Sequence, residues 1–395
     1  MDPPLSTLKR FDHQVAGHDS LLQHPTSDLL VVKPCSVIER EFYESARTRP
    51  EVAEWLPEFF GYLRIASDEE KRLLGRKVKA EETEDGVVGK KIVGMSLNLT
   101  GPDDILCVIL NLRSHRALVM QPSRITSLNK PLQTHYICLE NIVHGFKHPC
   151  VMDLKIGTRL YSDDASDNKR HRMLDKAAKT TSGSLGIRIT GMKVFEPTSN
   201  SYTVYTKPFC KSFTPTTILS GFLAYLFPTS AASASIPSLD IAATSVVPVP
   251  ADTDTQITAR APIPPAKKRW IMRRFVDDLE ELHETVEAAH GLRMYGSSLL
   301  FVYEGDPEAL ECAWVAVKER QRREEEEKKE EKEEEEKDDE EEREPKIMDL
   351  KIIDFAHSKW LDESAGPDEG IVFGVGNAIK MLKRCLEEQK REKYV

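Results

Sequence analysis

The sequence predicts an α+β protein organised as two lobes, an N-terminal one over residues 1–140 and a C-terminal one over residues 141–395. Three observations lead there. Apolar runs of strand length occur in both parts, joined in the second part by a long segment with helical apolar spacing. Residues 149–159 set charged against apolar side chains at the period of a strand. And 395 residues, 40% of them hydrophobic, are enough for two sizeable cores.

The first lobe opens with the apolar strand Asp28-Leu29-Leu30-Val31-Val32-Lys33-Pro34, followed by a helix over 37–48 that Pro50 closes. Strand-like runs follow at 91–98 and 105–112. His135-Tyr136-Ile137-Cys138-Leu139 is another, leading through Glu140-Asn141-Ile142 as the connector into the strand at 149–159. Beyond it the spacing predicts a helix at 166–180, a strand at 186–195, and helices at 216–226 and 266–290. In the last, Ile271, Phe275, Leu279, Leu282 and Val286 recur at three- and four-residue steps, the stripe of a helix packed on a core. Ser297 to Glu304 reads as a buried strand ending at Gly305. Two insertions interrupt the second lobe. Residues 229–265, rich in Ala, Ser, Thr and Pro, read as a disordered loop. Residues 318–344 carry 17 acidic and 9 basic side chains, with Glu324/Lys328, Glu325/Lys329 and Glu333/Lys337 at helical spacing. That tract reads either as a solvated helical spacer or as an acidic surface for protein partners.

It also holds most of the net charge of −10. The remainder of the chain is nearly neutral and can host a basic pocket. Seven scattered cysteines without a C-x-x-C pair argue against a disulfide framework or a zinc site. No apolar run reaches 18 residues and Met1-Asp2-Pro3-Pro4-Leu5 lacks a signal-peptide pattern, so nucleus and cytoplasm are the expected compartments.

Within Pro149-Cys150-Val151-Met152-Asp153-Leu154-Lys155-Ile156-Gly157, one strand face carries Asp153, Lys155 and Gly157 and the other Met152, Leu154 and Ile156. A carboxylate one strand step from an ammonium suits a place where phosphate meets an attacking hydroxyl. An edge strand with a solvated face explains the same pattern. Met-Asp-Leu-Lys-Ile recurs at 348–352, where Met348, Leu350 and Ile352 share a face whose next position is Asp354. A carboxylate aimed at apolar surroundings demands a cation, and a magnesium ion carrying nucleotide phosphates would serve. Lys33 ends an apolar strand, from which a kinase lysine reaches nucleotide phosphates or a structural one reaches water. Ser36-Val37-Ile38-Glu39 fits a helix capping box, a competing use for Glu39. Ala16-Gly17-His18-Asp19-Ser20 could pass over phosphates, although no G-x-x-x-x-G-K-[ST] loop exists in the chain. After the charged strand, Lys169, Arg172, Lys176 and Lys179 fall on one helical stripe, flanked by Arg170 and His171. The stripe is either a solvated face or a grip for several phosphates.

Pro149-x-x-x-Asp153-x-Lys155-x-Gly157 matches the P-x-x-x-D-x-K-x-G signature of the inositol polyphosphate kinase family. Collinear blocks accompany it: Gln14-Val15-Ala16-Gly17-His18, Leu139-Glu140-Asn141, Ser184-Leu185-Gly186-Ile187-Arg188-Ile189-Thr190-Gly191-Met192, Ser297-Ser298-Leu299-Leu300-Phe301 and Ile353-Asp354-Phe355-Ala356-His357. The resemblance spans nearly the whole chain and looks closest to the fungal type of multikinase, with the hexakisphosphate kinases as the alternative branch. It implies a two-lobed, protein-kinase-like fold related to ATP-grasp, with an inserted inositol-binding helical segment at 160–185.

It further implies transfer of the ATP γ-phosphate, with Mg2+, to hydroxyls of inositol tris- and tetrakisphosphates. By resemblance Lys33, Glu39, Glu140, Ile142 and Asp354 bind nucleotide, with Asp354 the metal ligand. Asp153 and Lys155 act at the reacting hydroxyl and phosphate, and Lys155, Lys169, Arg170, Arg172, Lys176 and Lys179 hold the acceptor. Asp354-Phe355 is followed by Ala356 where a protein kinase has glycine. Phosphoinositide headgroups would need only the same pocket with an open rim. A monomer with no nucleic-acid partner and no transmembrane segment is expected, and a non-catalytic nuclear scaffold built on the acidic tract is the alternative of another class.

Overall fold

The computed structural model describes residues 9–16, 21–23, 28–64, 107–111, 116–120, 135–227, 247–250, 260–330 and 346–391. Expectations at 17–20, 91–98 and 331–344 lie outside the described residues. Backbone proximity groups the chain into two compact units, the first within 1–14, 18–47 and 57–141, the second within 15–17, 48–56 and 142–395. Segments 15–17 and 48–56, which the sequence reading gave to the first lobe, therefore belong to the second. Their contacts explain it: the Trp55 carbonyl accepts from Ile352 N, and a Cβ at Gly191 would collide with the Val15 carbonyl oxygen.

The first unit holds β1 (Lys9–Arg10), β2 (Leu22–Gln23), β3 (Leu30–Pro34), α1 (Val37–Ala46), β4 (Phe59–Arg64), β5 (Cys107–Asn111), β6 (Arg116–Met120) and β7 (His135–Glu140). Five strands form an antiparallel sheet in the order β1-β2-β3-β7-β4, and β5 pairs with β6. Val32, Ile137 and Cys138 are fully buried at its centre. Ser36 caps α1 by accepting from Glu39 N at 3.1 Å.

The second unit contains α2 (Pro50–Ala53), β8 (Pro149–Ile156), α3 (Asp167–Ala178), α4 (Thr181–Leu185), β9 (Ile187–Glu196), β10 (Ser201–Tyr205), α5 (Lys207–Lys211), α6 (Ile218–Leu226), β11 (Val247–Pro250), α7 (Pro265–Ala288), β12 (Leu292–Met294), β13 (Ser298–Glu304), α8 (Pro307–Glu330), β14 (Met348–Ile353), β15 (Ser358–Trp360) and α9 (Glu369–Lys390). Six strands form a sheet in the order β11-β10-β9-β8-β13-β14. Thus β8 is an interior strand, hydrogen-bonded on both sides, and the edge-strand reading of its charged face is wrong. The two Met-Asp-Leu-Lys-Ile copies flank β13, with Met152 and Leu350 both opposite Phe301.

The helical stripe Ile271, Phe275, Leu279, Leu282 and Val286 is buried on α7, where the Phe275 ring meets Phe301 edge-on at 5.1 Å. Helix α9 was not anticipated, although Ile371, Val375, Ala378, Leu382 and Cys385 are buried at helical steps. It crosses the end of β8 where a side chain at Gly374 would strike the Gly186 carbonyl. Gly157, at φ 88°, donates to that same carbonyl at 2.8 Å, and the room it leaves is taken by Ile371. The expected irregular loop at 229–265 needs correction at its described parts. Residues 247–250 pair with β10, and α7 begins at Pro265. The charged tract begins inside α8. Five of the described cysteines are buried thiols, and Cys312 is exposed. Among the described residues no helix is long and apolar enough to cross a membrane.

Helix α7 also carries a titratable weak point. Burial pushes the Asp278 carboxyl up to about 6; Arg274 opposes the shift, and Glu281, Asp277 and Asp349 of β14 add to it. Lys346 offsets Asp349 through an ion pair at 2.7 Å. Because the folded value lies above the unfolded one, this contribution to stability is present below about pH 4 and is lost as pH rises through about 6. Asp278→Asn is expected to raise stability at neutral pH by about 2 kcal/mol and to change it little near pH 4. Urea midpoints at the two pH values measure it, and equal effects at both would refute the assignment.

Candidate active site

In the first unit, Lys33 near the end of β3 donates to Glu39 Oε1 at 2.7 Å, and Glu39 is 2% exposed. Only half of a capping box is therefore closed through Glu39: Ser36 caps the helix, while the Glu39 carboxylate orients Lys33. Glu140 ends β7, its N–H bound to the Glu58 carbonyl and its carboxylate accepting from Glu58 N at 3.3 Å. Asn141 anchors the connector by donating its side-chain N–H to the Asp28 carbonyl at 2.6 Å, a role the sequence reading missed. In the second unit, Ile142 follows as a buried apolar residue.

In the second unit, the charged face of β8 is enclosed. Asp153 is 4% exposed. Its carboxylate accepts from Thr190 Oγ1 at 2.6 Å, and the same hydroxyl reaches the Asp153 carbonyl at 3.1 Å. A bulge makes this contact: Asp153 pairs with Gly191 and Leu154 with Ile189, so Thr190 is the extra residue turned toward Asp153. Burial raises the Asp153 pKa above the usual carboxylate value; Lys155 opposes the shift and Asp354 adds to it. A carboxyl so raised is better matched to taking a proton from a hydroxyl than a solvated one.

Lys155 Nζ donates to Asp354 Oδ2 at 2.9 Å and to the Gly296 carbonyl at 2.7 Å. The strand phase placed Asp354 among buried apolar residues, which the structure corrects. Strand β14 ends at Ile353, Asp354 takes φ 69°, and its side chain is 33% exposed. Asp tolerates this left-handed conformation better than most residues. Ser297, fully buried, donates to the Asp354 carbonyl at 3.1 Å and so holds the turn. The Lys155 ion pair answers the carboxylate in part while exposure leaves room for a cation. Among the described residues no three acidic, His or Cys groups cluster as a metal cage. One carboxylate with phosphate and water oxygens is nonetheless a normal Mg2+ set, so Asp354 fits the role.

On α3, Lys169 and Lys176 are half-buried and Arg172 and Lys179 exposed. Lys169 Nζ lies 3.4 Å from His357 Nε2, which joins the helix to the turn after Asp354. Arg172, Lys176 and Lys179 have no side-chain ion pair or hydrogen bond among the described residues. Arg170 departs from the expectation. Its guanidinium donates to the Asp163 and Ala165 carbonyls and braces the loop before α3. Asp163 in turn bridges Arg159 and Lys359, while Arg159 lies 4.2 Å over the Tyr295 ring. Thr190 and Arg188 lie in the block from Ser184 to Met192, to which the sequence alone assigns no role. Their alternation with Ile187 and Ile189 was a readable signal of the kind that singled out Asp153 and Lys155.

The family profile described as inositol polyphosphate kinase matches residues 136–241 and 260–383. Inositol hexakisphosphate kinase 1 of Rattus norvegicus is 25% identical over 97% of this chain and 94% of its own length. Inositol polyphosphate multikinase of Saccharomyces cerevisiae is 27% identical over 96% of this chain and 99% of its own. The crystal structure of the S. cerevisiae inositol phosphate multikinase with ADP and Mn2+ superposes with a TM-score of 0.53 at 22% identity, covering 91% of this chain and 99% of that one. That likeness establishes the fold.

Proposed function

The chain belongs to the inositol polyphosphate kinase family, and from that premise we propose that it transfers the ATP γ-phosphate to hydroxyls of inositol tris- and tetrakisphosphates. The observation that carries this reading is the Asp153, Lys155 and Asp354 arrangement beside a helix whose Arg172, Lys176 and Lys179 have no side-chain ion pair or hydrogen bond among the described residues. Phosphoryl transfer asks a protein mainly for positioning and charge stabilisation. Asp153, fixed by Thr190, accepts the proton of the acceptor hydroxyl. Lys155, fixed by Gly296, meets the transferring phosphate, and the α3 cations hold the acceptor's other phosphates. Lys33, oriented by Glu39, takes nucleotide phosphates, and the backbone of Glu140 and Ile142 takes the base. Asp354 would hold Mg2+, which when bound neutralises charge on the transferring group.

Incubation with labelled ATP, Mg2+ and a panel of inositol phosphates, followed by chromatography, tests the reading. Products from tris- and tetrakisphosphates are expected. Transfer to none of the panel rejects the kinase reading and leaves a scaffold built on the acidic tract. Transfer to the hexakisphosphate alone selects the second reading, which the match to the R. norvegicus hexakisphosphate kinase supports.

A further inference from the structure

Arg188 is 4% exposed, yet its one hydrogen bond among the described residues is from Nε to Ser182 Oγ at 3.2 Å. The two terminal nitrogens of its guanidinium have no protein acceptor there. A buried charge normally has a partner; Asp153 acts on Arg188 only as a nearby opposite charge, with no hydrogen bond or ion pair between them among the described residues. Arg188 stands directly across the ladder from Lys155, on the same sheet face.

Two further cations converge on this point from other elements. Lys176 of α3 feels burial first and then the charges of Arg188, Lys211 and Lys155, which together depress its pKa. Lys211 ends α5, a helix packed on β9. The preceding residue, Cys210, is itself within the field of Asp153. Lys211 is exposed and has no ion pair or side-chain hydrogen bond among the described residues. Three strands or helices besides α3 thus bring positive charge to one place, where among the described residues Lys155 alone forms an ion pair, with Asp354, and Asp153 acts on Arg188 as a nearby charge. Lys176 in particular faces three like charges, which a bound anion would offset.

We propose that Arg188, Lys176 and Lys211 form a phosphate subsite on the sheet floor, separate from the exposed end of the α3 stripe, that takes one phosphate group of the acceptor next to the reacting hydroxyl. This rests on the proposed kinase reading and adds to it two elements, β9 and α5, that no motif assigned to the acceptor. A guanidinium offers a forked pair of donors that suits a phosphate monoester, and desolvation strengthens the contact. Thr190 and Arg188, two residues apart on one face of β9, would then set the hydroxyl and its neighbouring phosphate in fixed relation.

The test compares Lys211→Ala, Arg188→Gln and Arg188→Lys with wild type, measuring KM separately for ATP and for an inositol trisphosphate, with thermal melting as the control for folding. Lys211→Ala is expected to raise the acceptor KM about fivefold and Arg188→Gln at least about tenfold, both leaving the ATP KM unchanged. Arg188→Lys should recover part of the loss. Wild-type acceptor KM in Lys211→Ala overturns the subsite, whether or not Arg188→Gln folds. So does a lowered melting temperature in Arg188→Gln with unaltered acceptor KM, which would make Arg188 a brace for α4. An inactive wild type, by contrast, rejects the kinase reading itself.

Discussion

Asp354→Asn is expected to lower kcat by about a thousandfold, the loss of roughly 4 kcal/mol of transition-state stabilisation, while the protein remains folded. The substitution is chosen for its shape. Asn occupies left-handed backbone at least as readily as Asp, so φ 69° at this position is not penalised as it would be for Ala. The amide keeps the side-chain volume and removes the charge that a divalent ion needs. The Lys155 pair it breaks is partly exposed on both sides, at 20% and 33%, and is worth at most about 1 kcal/mol to stability. Activity and stability therefore separate by orders of magnitude if Asp354 is a metal ligand. The measurement is kcat at saturating ATP across a Mg2+ titration, beside a thermal melt. Normal turnover in a folded Asn variant would remove Asp354 from the site, and excess Mg2+ should recover little.

What could be read in the sequence depended on whether the signal was local. The α7 stripe was legible because helix periodicity is a property of one segment, and burial of Phe275 and Leu279 follows from it. The alternation of Asp153 and Lys155 was legible for the same reason, but the position of their strand in the sheet was not. Only pairing with β9 and β13 turns a charged face from a solvated edge into an enclosed floor. Asp354 illustrates the limit of phase arguments: extrapolating a strand by one residue fails where the strand ends, and a left-handed turn redirects the carboxylate. Thr190 reaches Asp153 through a bulge, a two-against-one register that no single strand announces. Arg170 shows the converse. It sat among the stripe residues in sequence, yet a loop with unsatisfied carbonyls at Asp163 and Ala165 claimed its guanidinium. Segment 15–17 joined the second unit because Gly191 has no side chain to keep it away.

Lys155→Met should cost nearly as much activity as the loss of Asp354, about a hundredfold or more in kcat/KM, and far less in stability. Lys155 holds two groups at once, the Asp354 carboxylate at 2.9 Å and the Gly296 carbonyl at 2.7 Å, and lies in the field of Asp153. Removing the ammonium leaves two carboxylates near one another with no cation between them. It also deprives the transferring phosphate of a charged donor at the moment its charge redistributes. Met preserves most of the apolar stem that packs in the sheet, so the change isolates the charge. The Gly296 carbonyl loses its donor, but Gly296 is only half-buried, so solvent can replace it, which limits the folding penalty to about 1 kcal/mol. Urea unfolding and steady-state kinetics on the same preparation distinguish the alternatives. A large stability loss with near-normal kcat/KM would mean that Lys155 is a strut between β8 and the turn at Asp354. A large catalytic loss with an unchanged urea midpoint would identify the charged face of β8 as the floor on which phosphate is transferred.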